Sequence, residues 1–564
     1  MTRLKVALVT TPPSVRSGIG DYTQHLLPHL CEHADVDAFV ERLGEGDDDP
    51  ASWAAPVQAR PASELDPREY DQVLYQLGNE LTHAFMLRMI RAIGGTVMQH
   101  DWVLFDVAAV AYPAILRGGV KGHAAVLREG GSEQLRVYLE NWKARRLQRT
   151  RPTPRVPSET LDGTLLSGWH AAEDNGRWIA DNAALRIPAD GVEEVELVLH
   201  GDARRNVTVR QNGRVLADGP PGTFAGSPHD RDRPLIELHV DGVRVFKEQK
   251  RHGDARRLAA FVEAVRWRDA DGEHELDLSV APAEPVPNVH LARDRFSLPL
   301  NRSVVRFADA FLVHSDYVRQ RILRERNANT AVGVVHHGAQ TRWRDEDRRV
   351  ARRELGLDEA WTEGFLLTSF GGVQPHKRID RVLEALAIAR RSREDVRLVL
   401  AGKVDGGDFE PRGLVRRLGL QDAVHFAGFV SEEDAWEWLH AGDVALNLRG
   451  PTSGGTSGGI FRAFSVGRPV IASDAGEQCE LPEDCVVKVP LGGDEVRVLG
   501  EAIVALRDDR ARLDALERGA RRFVEEECHW GLVAQRYVEH MERFPRPRTT
   551  KRARIQLRLA TERG

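Results

Sequence analysis

The residues of this chain with the clearest chemistry are the six in Gly454-Gly455-Thr456-Ser457-Gly458-Gly459. They follow an apolar stretch, Asp443-Val-Ala-Leu-Asn-Leu448, that reads as a strand. Ile460, Phe461, Ala463 and Phe464 then recur at helical spacing, and Gly467 marks the helix end. A glycine-rich turn that opens a helix leaves backbone N–H groups and the positive end of the helix dipole facing outward, as a phosphate requires. An ordinary strand-to-helix turn is the plain alternative, but four glycines beside two hydroxyl residues exceed what turning alone needs. Lys377 and Arg378 offer cations for the same anion chemistry, and a solvated helix start is their competing reading. His100-Asp101 follows the apolar run Thr96 to Gln99 and would stand at the carboxyl end of a sheet, where ligands of α/β folds gather. His100 reads as a catalytic imidazole or as a satisfied structural histidine, and Asp101 as its orienter or as a cap.

Holding such groups together calls for parallel sheets, and the pattern supplies two sets. Up to about residue 150, apolar strands at Leu4 to Thr10, Val36 to Val40, Gln72 to Gln76 and Thr96 to Gln99 alternate with helical segments. Thr150-Arg-Pro-Thr-Pro-Arg-Val-Pro157 and Pro282-Ala-Glu-Pro-Val-Pro287 then bracket a segment whose period is 2. Val195 to Leu199, Val207 to Val209, Leu235 to Leu238 and Leu276 to Leu278 read as its strands, with Asn212-Gly213 as a hairpin turn. This predicts an inserted antiparallel β-sandwich of the jelly-roll kind. Trp169 and Trp178 in it could stack on sugars, but a core role fits such a module better. The α/β pattern resumes at Phe311, and a second series has strands near Phe365, Val396, Val424, Val444 and Pro469.

Composition narrows the function classes. A chain of 564 residues implies roughly three domains. Its formal net charge of −6 argues against a nucleic-acid partner. No apolar run approaches a membrane span, and the first residues read as a strand rather than a signal peptide, so a cytoplasmic location is expected. Cys31, Cys479, Cys485 and Cys528 form neither a zinc spacing nor a disulfide framework, and His336-His337 has no second ligand cluster, so no metal is expected. Asp47-Asp-Asp49 lies in a polar loop and reads as solvated charge. Gly18-Ile-Gly20 lies too far beyond its strand for a dinucleotide fingerprint, and Thr23 replaces the third glycine.

Taken in order, several motifs resemble those of the GT-B glycosyltransferases, specifically family 4 of the retaining sugar transferases. Ser17-Gly-Ile-Gly-Asp-Tyr-Thr23 looks like the family's first glycine loop, and Val97-Met-Gln-His-Asp101 like its strand ending in His-Asp. Phe370-Gly-Gly-Val-Gln-Pro-His-Lys-Arg-Ile-Asp380 is similar to its strand-loop-lysine motif, and Phe426-Ala-Gly-Phe-Val430 to the loop that meets the nucleotide base. Trp530 and Val533 to Val538 resemble the closing helix that crosses back to the first domain. The pattern departs at three positions. Of the family's two glutamates eight positions apart, which hold the donor sugar and the ribose, the first falls at Gly454 or Gly455 and the second at Arg462. The arginine usual five residues before the motif lysine is Gly372.

The resemblance implies a metal-independent, hexosyltransferase-type enzyme. It would move a sugar from a nucleotide-diphosphate sugar, a substrate rather than a cofactor, to a glycan or lipid-linked acceptor with retention. His100 is the implied catalytic residue. Gly18, Gly20, Lys377, Arg378, Phe429, Val430, Gly454, Gly455, Thr456, Ser457, Gly458 and Glu480 are the implied donor-binding set, with Glu477 or Glu480 replacing a lost carboxylate. The alternative is a non-catalytic glycan-binding or scaffold protein on a degenerate frame. The expected division is 1–155 with 287–338 as the acceptor-side domain, 156–286 as the insert, 339–544 as the nucleotide-sugar domain and 545–564 as a basic tail. The donor site then lies in a cleft that closure assembles. Two basic runs, Lys143 to Arg155 and Arg546 to Arg558, predict weak peripheral contact with an anionic membrane on its inner face.

Overall fold

The computed structural model describes residues 3–150, 164–173, 176–211, 214–241, 258–278, 296, 298–404, 411–450, 452–491 and 495–548. The proline-rich joins around the insert fall largely outside these residues, as do the Asn212-Gly213 turn and the tail after residue 548.

Two parallel sheets carry the fold. The first runs Ala331–Val334, Ala310–Val313, Thr96–Gln99, Gln72–Leu77, Leu4–Val9, Ala34–Val40 and Gln58–Pro61, every neighbour parallel. The second runs Val424–Gly428, Val396–Ala401, Phe365–Phe370, Val444–Asn447, Val470–Ser473 and Val486–Val489, again all parallel. Each order reverses once, so each sheet has a switch point with a crevice outside the carboxyl ends of its strands. In the second sheet that point lies between Phe365–Phe370 and Val444–Asn447. Strands such as Ala310–Val313 are buried throughout, which is why they read as continuous apolar runs. The edge strands Gln58–Pro61 and Val486–Val489 escaped the sequence reading because each is short and only partly buried, so polar residues such as Gln58, Arg60 and Lys488 interrupt the apolar run.

Among the described residues, the segment between Thr96–Gln99 and Ala310–Val313 forms nine antiparallel strands, from Leu165–Glu173 to Gly272–Glu275, over a core that includes Leu185, Leu197, Ile236 and Val262. Trp169 belongs to that core, and its Nε1 donates to the Ala184 carbonyl at 2.8 Å. Trp178 is half-buried and meets Phe261 edge-on. Leu276 to Leu278 is not the strand the alternation predicted. Both leucines are buried, but the ladder here joins Ala260–Asp269 to Gly272–Glu275, and the Leu278 carbonyl accepts from Arg177 Nε at 2.7 Å instead. The insert also touches the second sheet's layer. Ala184 and Leu235 join its core, and Asp230 pairs with Arg391 at the end of helix Ile379–Arg390.

The final helix, Trp530–Met541, crosses back to the first sheet and lies along helix Gly18–His33, where the Tyr22 and Tyr537 hydroxyls are 2.9 Å apart. The start of the tail is exposed but tethered to the first sheet's layer. Arg546 pairs with Asp71 and Arg548 with Asp309, each at 3.0 Å. Among the described residues no helix is long and apolar enough to cross a membrane.

Candidate functional site

At the switch point of the second sheet, helix Gly458–Ser465 starts just after strand Val444–Asn447, with Ser457 as its N-cap. Ser457 does not cap with its side chain; its hydroxyl accepts from Asn447 Nδ2 at 3.0 Å. Among the described residues nothing accepts from the N–H groups of Thr456, Gly458 and Gly459, so the positive end of this helix keeps its donors. Lys377 reaches the same place, its Nζ donating to the Phe370 carbonyl at 3.1 Å at the end of the neighbouring strand. A second cation, Arg449, follows strand Val444–Asn447 and was not singled out from the sequence. Its Nη1 lies 3.4 Å from the Gly455 carbonyl, and its Nε is buried without a partner. His376 lies in the same positive field: burial, with Arg449 and Lys377, pushes its pKa down to about 3.

The glycines at the front of the turn have a different task. A Cβ on Gly455 would stand 2.0 Å from Asp101 Oδ1, and one on Gly454 2.6 Å from Trp102 Cβ. Val103 N–H donates to the Ser453 carbonyl at 3.0 Å, and Ser453 Oγ to Asp101 Oδ1 at 3.3 Å. The turn therefore touches the loop that follows the first sheet's Thr96–Gln99, and the two halves of the chain meet there. Two carboxyls face this seam. Asp101 accepts from the Asn79 N–H at 2.9 Å, and Glu477 accepts from Thr452 Oγ1 at 2.7 Å while its Oε1 is buried without a partner. Burial raises the pKa of both.

Four expectations are corrected by this geometry. His100 presents no ring nitrogen to the seam. Its Nε2 lies 2.8 Å from Gln76 and its Nδ1 3.1 Å from His314 Nε2, while His314 Nδ1 donates to the Val335 carbonyl. The imidazole is thus a buried structural group, and it is Asp101, the next residue, that faces the turn. Arg378 is turned to the buried Glu495, with its Nε at 2.9 Å, so its charge is already matched. Glu480 accepts from the N–H groups of Asp316 and Tyr317 and caps helix Asp316–Glu325 of the first half; Glu477 is the carboxylate beside the turn. At the first glycine loop, Gly20 N–H donates to Ser17 Oγ and Ile19 N–H to Glu80, so an internal carboxylate already sits at the helix start that Gly18 and Gly20 open.

Phe429 is 73% exposed, with the Arg16 guanidinium of the first half 5.8 Å from its ring centre, and Val430 packs partly beside Val399 and Trp438. Gly458 faces His337 Nε2 across 3.7 Å, measured from where its Cβ would be. Arg462, where the family pattern has its second glutamate, stacks between Phe370 and Trp436 and lies 3.4 Å from Glu432.

Residues 364–509, most of the second α/β layer, match the family model described as Glycosyl transferases group 1. D-inositol 3-phosphate glycosyltransferase 2 of Catenulispora acidiphila is 30% identical over 233 residues, 39% of this chain and 53% of that protein. The GDP-mannose-dependent monoacylated alpha-(1-6)-phosphatidylinositol monomannoside mannosyltransferase of Corynebacterium glutamicum is 27% identical, covering 36% of this chain and 52% of its own length. The chain thus spans about half the length of the curated relatives it matches. Among solved structures, Anabaena HepE in complex with UDP and glucose is similar over 45% of this chain and 68% of its own, with 21% identity and a TM-score of 0.39.

Two predictions follow from the seam. Gly455 has no positive φ, so Gly455→Ala meets no backbone strain of its own, and its Cβ collides with the Asp101 carboxyl and the His100 carbonyl across the seam. Small-angle scattering should show a larger radius of gyration than the parent; an unchanged radius contradicts the contact. The second concerns acid. Burial depresses His100, His314 and His337, the last to about 4, so the unfolded chain takes up protons below about pH 6.5 while the folded rings stay neutral. Their stabilising effect is complete above that pH and is lost as pH falls toward 4. Asp101 and Glu477, raised by burial, act in the opposite sense. In urea titrations His337→Gln should lose less stability than the parent between about pH 7 and pH 5; equal losses contradict the buried neutral ring.

Proposed function

We propose that the protein transfers a sugar from a nucleotide-diphosphate sugar to a glycan or lipid-linked acceptor, with retention of configuration. The observation that carries this reading is the meeting of Lys377, Arg449 and the free N–H groups of the Gly458–Ser465 helix start at the second sheet's switch point. A departing diphosphate gains negative charge as its bond to the sugar breaks, and preorganised cations and backbone donors stabilise that charge best. No side-chain nucleophile is required: the acceptor oxygen attacks the face the diphosphate leaves, and its proton passes to the leaving phosphate oxygen. Lys377 and Arg449 take the charge that other transferases of this chemistry place on a metal ion, and His100, its ring nitrogens engaged by Gln76 and His314, takes no proton.

The reading assigns residues 1–155 and 287–338 to an acceptor-side domain, 339–544 to a family 4-like donor domain and 156–286 to an insert that curls into a sandwich. Phe429 and Val430 would meet the donor base. The relatives' names make an inositol phosphate or a phosphatidylinositol glycolipid the first acceptor class to test.

The decisive experiment is a thermal-shift and transfer screen with UDP-, GDP- and ADP-sugars, where a ligand at 100 times its Kd adds about 2.7 kcal/mol. Lys377→Ala and Arg449→Ala should each lower kcat/KM by roughly 10²-fold, whereas Arg378→Ala should act mainly on stability by stranding Glu495. A folded protein that binds and transfers none of these donors overturns the proposal. A further test concerns location, for which we propose weak contact with the anionic inner face of a membrane. Arg546 and Arg548 are already ion-paired, so we assign most of the attraction to basic residues beyond 548 and to the run Lys143 to Arg155, whose side chains lie outside the described residues. Sedimentation with anionic vesicles should fall when residues after 548 are removed and as salt rises; equal binding to neutral vesicles overturns it.

A further inference from the structure

A pocket of the second layer lies at the opposite edge of the sheet from the glycine turn. Its volume is about 610 Å³, and it opens beside the amino ends of strands Phe365–Phe370, Val444–Asn447 and Val470–Ser473. Four arginines line its inner wall, Arg348, Arg352, Arg468 and Arg521, with two carboxylates, Asp443 and Glu517. Arg348 and Arg352 share Asp443, and Arg348 also holds Glu517 at 2.8 Å. Arg352 is further satisfied by the carbonyls of Ala441, Thr362 and Gly364. At the rim each arginine has an acid of its own, as Arg344 has Glu437 and Arg507 has Asp395.

Arg468 and Arg521 are left over. Arg468 is 7% exposed; it donates to the His440 carbonyl, stands 3.8 Å from an already engaged Glu517, and its buried Nε has no partner. Among the described residues no carboxylate lies within ion-pair distance of Arg521, its Nε is buried without a partner, and its guanidinium stands 5.6 Å from the Trp343 ring centre. Burial and the neighbouring Arg348 and Arg521 lower the pKa of Arg468 to about 10, as crowded like charges do. A buried guanidinium nitrogen without a hydrogen-bond partner is costly, and a guanidinium fork matches phosphate oxygens in pairs.

We propose that this pocket is a second anion site, which takes a phosphate group between Arg468 and Arg521. The ligand is either inorganic phosphate or the phosphoryl group of a small phosphorylated metabolite. The site is separate from the donor site: Arg468 stands at the start of strand Val470–Ser473, and the glycine turn lies at the carboxyl end of strand Val444–Asn447 beside it.

Calorimetry and thermal shifts on the full chain test this, with sodium phosphate against sodium chloride at matched ionic strength. Phosphate should raise Tm in the parent and equally in Lys377→Ala, whose donor site is impaired. Arg521→Gln should weaken phosphate binding at least tenfold while leaving nucleotide binding intact. Arg521→Lys, which keeps the charge but loses the fork, is the milder second variant and should also weaken it. Glycerol 3-phosphate binding more tightly than phosphate assigns the site to a phosphorylated metabolite, and the reverse order assigns it to the free ion; both support the site. Equal Tm in phosphate and chloride, loss of the effect in Lys377→Ala, or undiminished affinity in both Arg521 variants overturns it.

Discussion

Two backbones approach each other where the halves of this chain meet, closer than any side chain would permit. The Gly454-Gly455 turn lies against Asp101 and Trp102, and a single methyl group at Gly455 would overlap the Asp101 carboxylate. The hydrogen bond from Val103 to Ser453 depends on that approach, and so does the placing of Asp101 and Glu477 along one seam. The glycine turn thus has two functions along its length. Its first glycines admit the neighbouring half, and its later residues leave N–H groups free at a helix start. A residue larger than glycine at the front would separate the cations of one half from the carboxyl of the other.

Charge is arranged around that seam by subtraction. The second layer carries many arginines, and most are matched at once: Arg378 by Glu495, Arg381 by Glu384, and Arg352 by Asp443 with three carbonyls. Near the turn, Arg449 keeps a buried nitrogen without a partner, and Lys377 bonds the carbonyl that ends its strand. The insert contributes to this order from the other side of helix Ile379–Arg390. By bringing Ala184, Leu235 and Asp230 against that layer it buries a helix whose charged residues would otherwise face water, including the ion pair of Arg381 and Glu384. A buried pair of this kind fixes geometry more than it adds stability.

Much of the fold was legible in the sequence because strand and helix periods are local. Most of the parallel strands and several of the antiparallel ones are visible as patterns of apolar residues, whereas the crossing helix Trp530–Met541 was expected from the family resemblance. What escaped lay at the sheet edges or was ambiguous: the partly buried edge strands, and the Leu276–Leu278 alternation, where both leucines are buried but only the Leu276 N–H joins the neighbouring strand, at the Val265 carbonyl.

The sequence by itself determined which kinds of group would gather: a glycine turn before a helix, a lysine after a strand, and acids next to both. Tertiary structure decided which of them remain available. Arg378 and Glu495 are 117 residues apart, and Glu480 and Asp316 are 164 apart, so no local pattern could show that each already had a partner. The same distance hid the fate of His100, whose imidazole is enclosed by Gln76 and His314, and the value of Arg449, which stands out only once its neighbours are matched and it is not. Residue type and spacing set the chemical inventory, because propensity and periodicity act over a few residues. Long-range pairing then removes groups from it, because a buried charge or hydrogen-bonding group takes whatever partner the fold brings within reach.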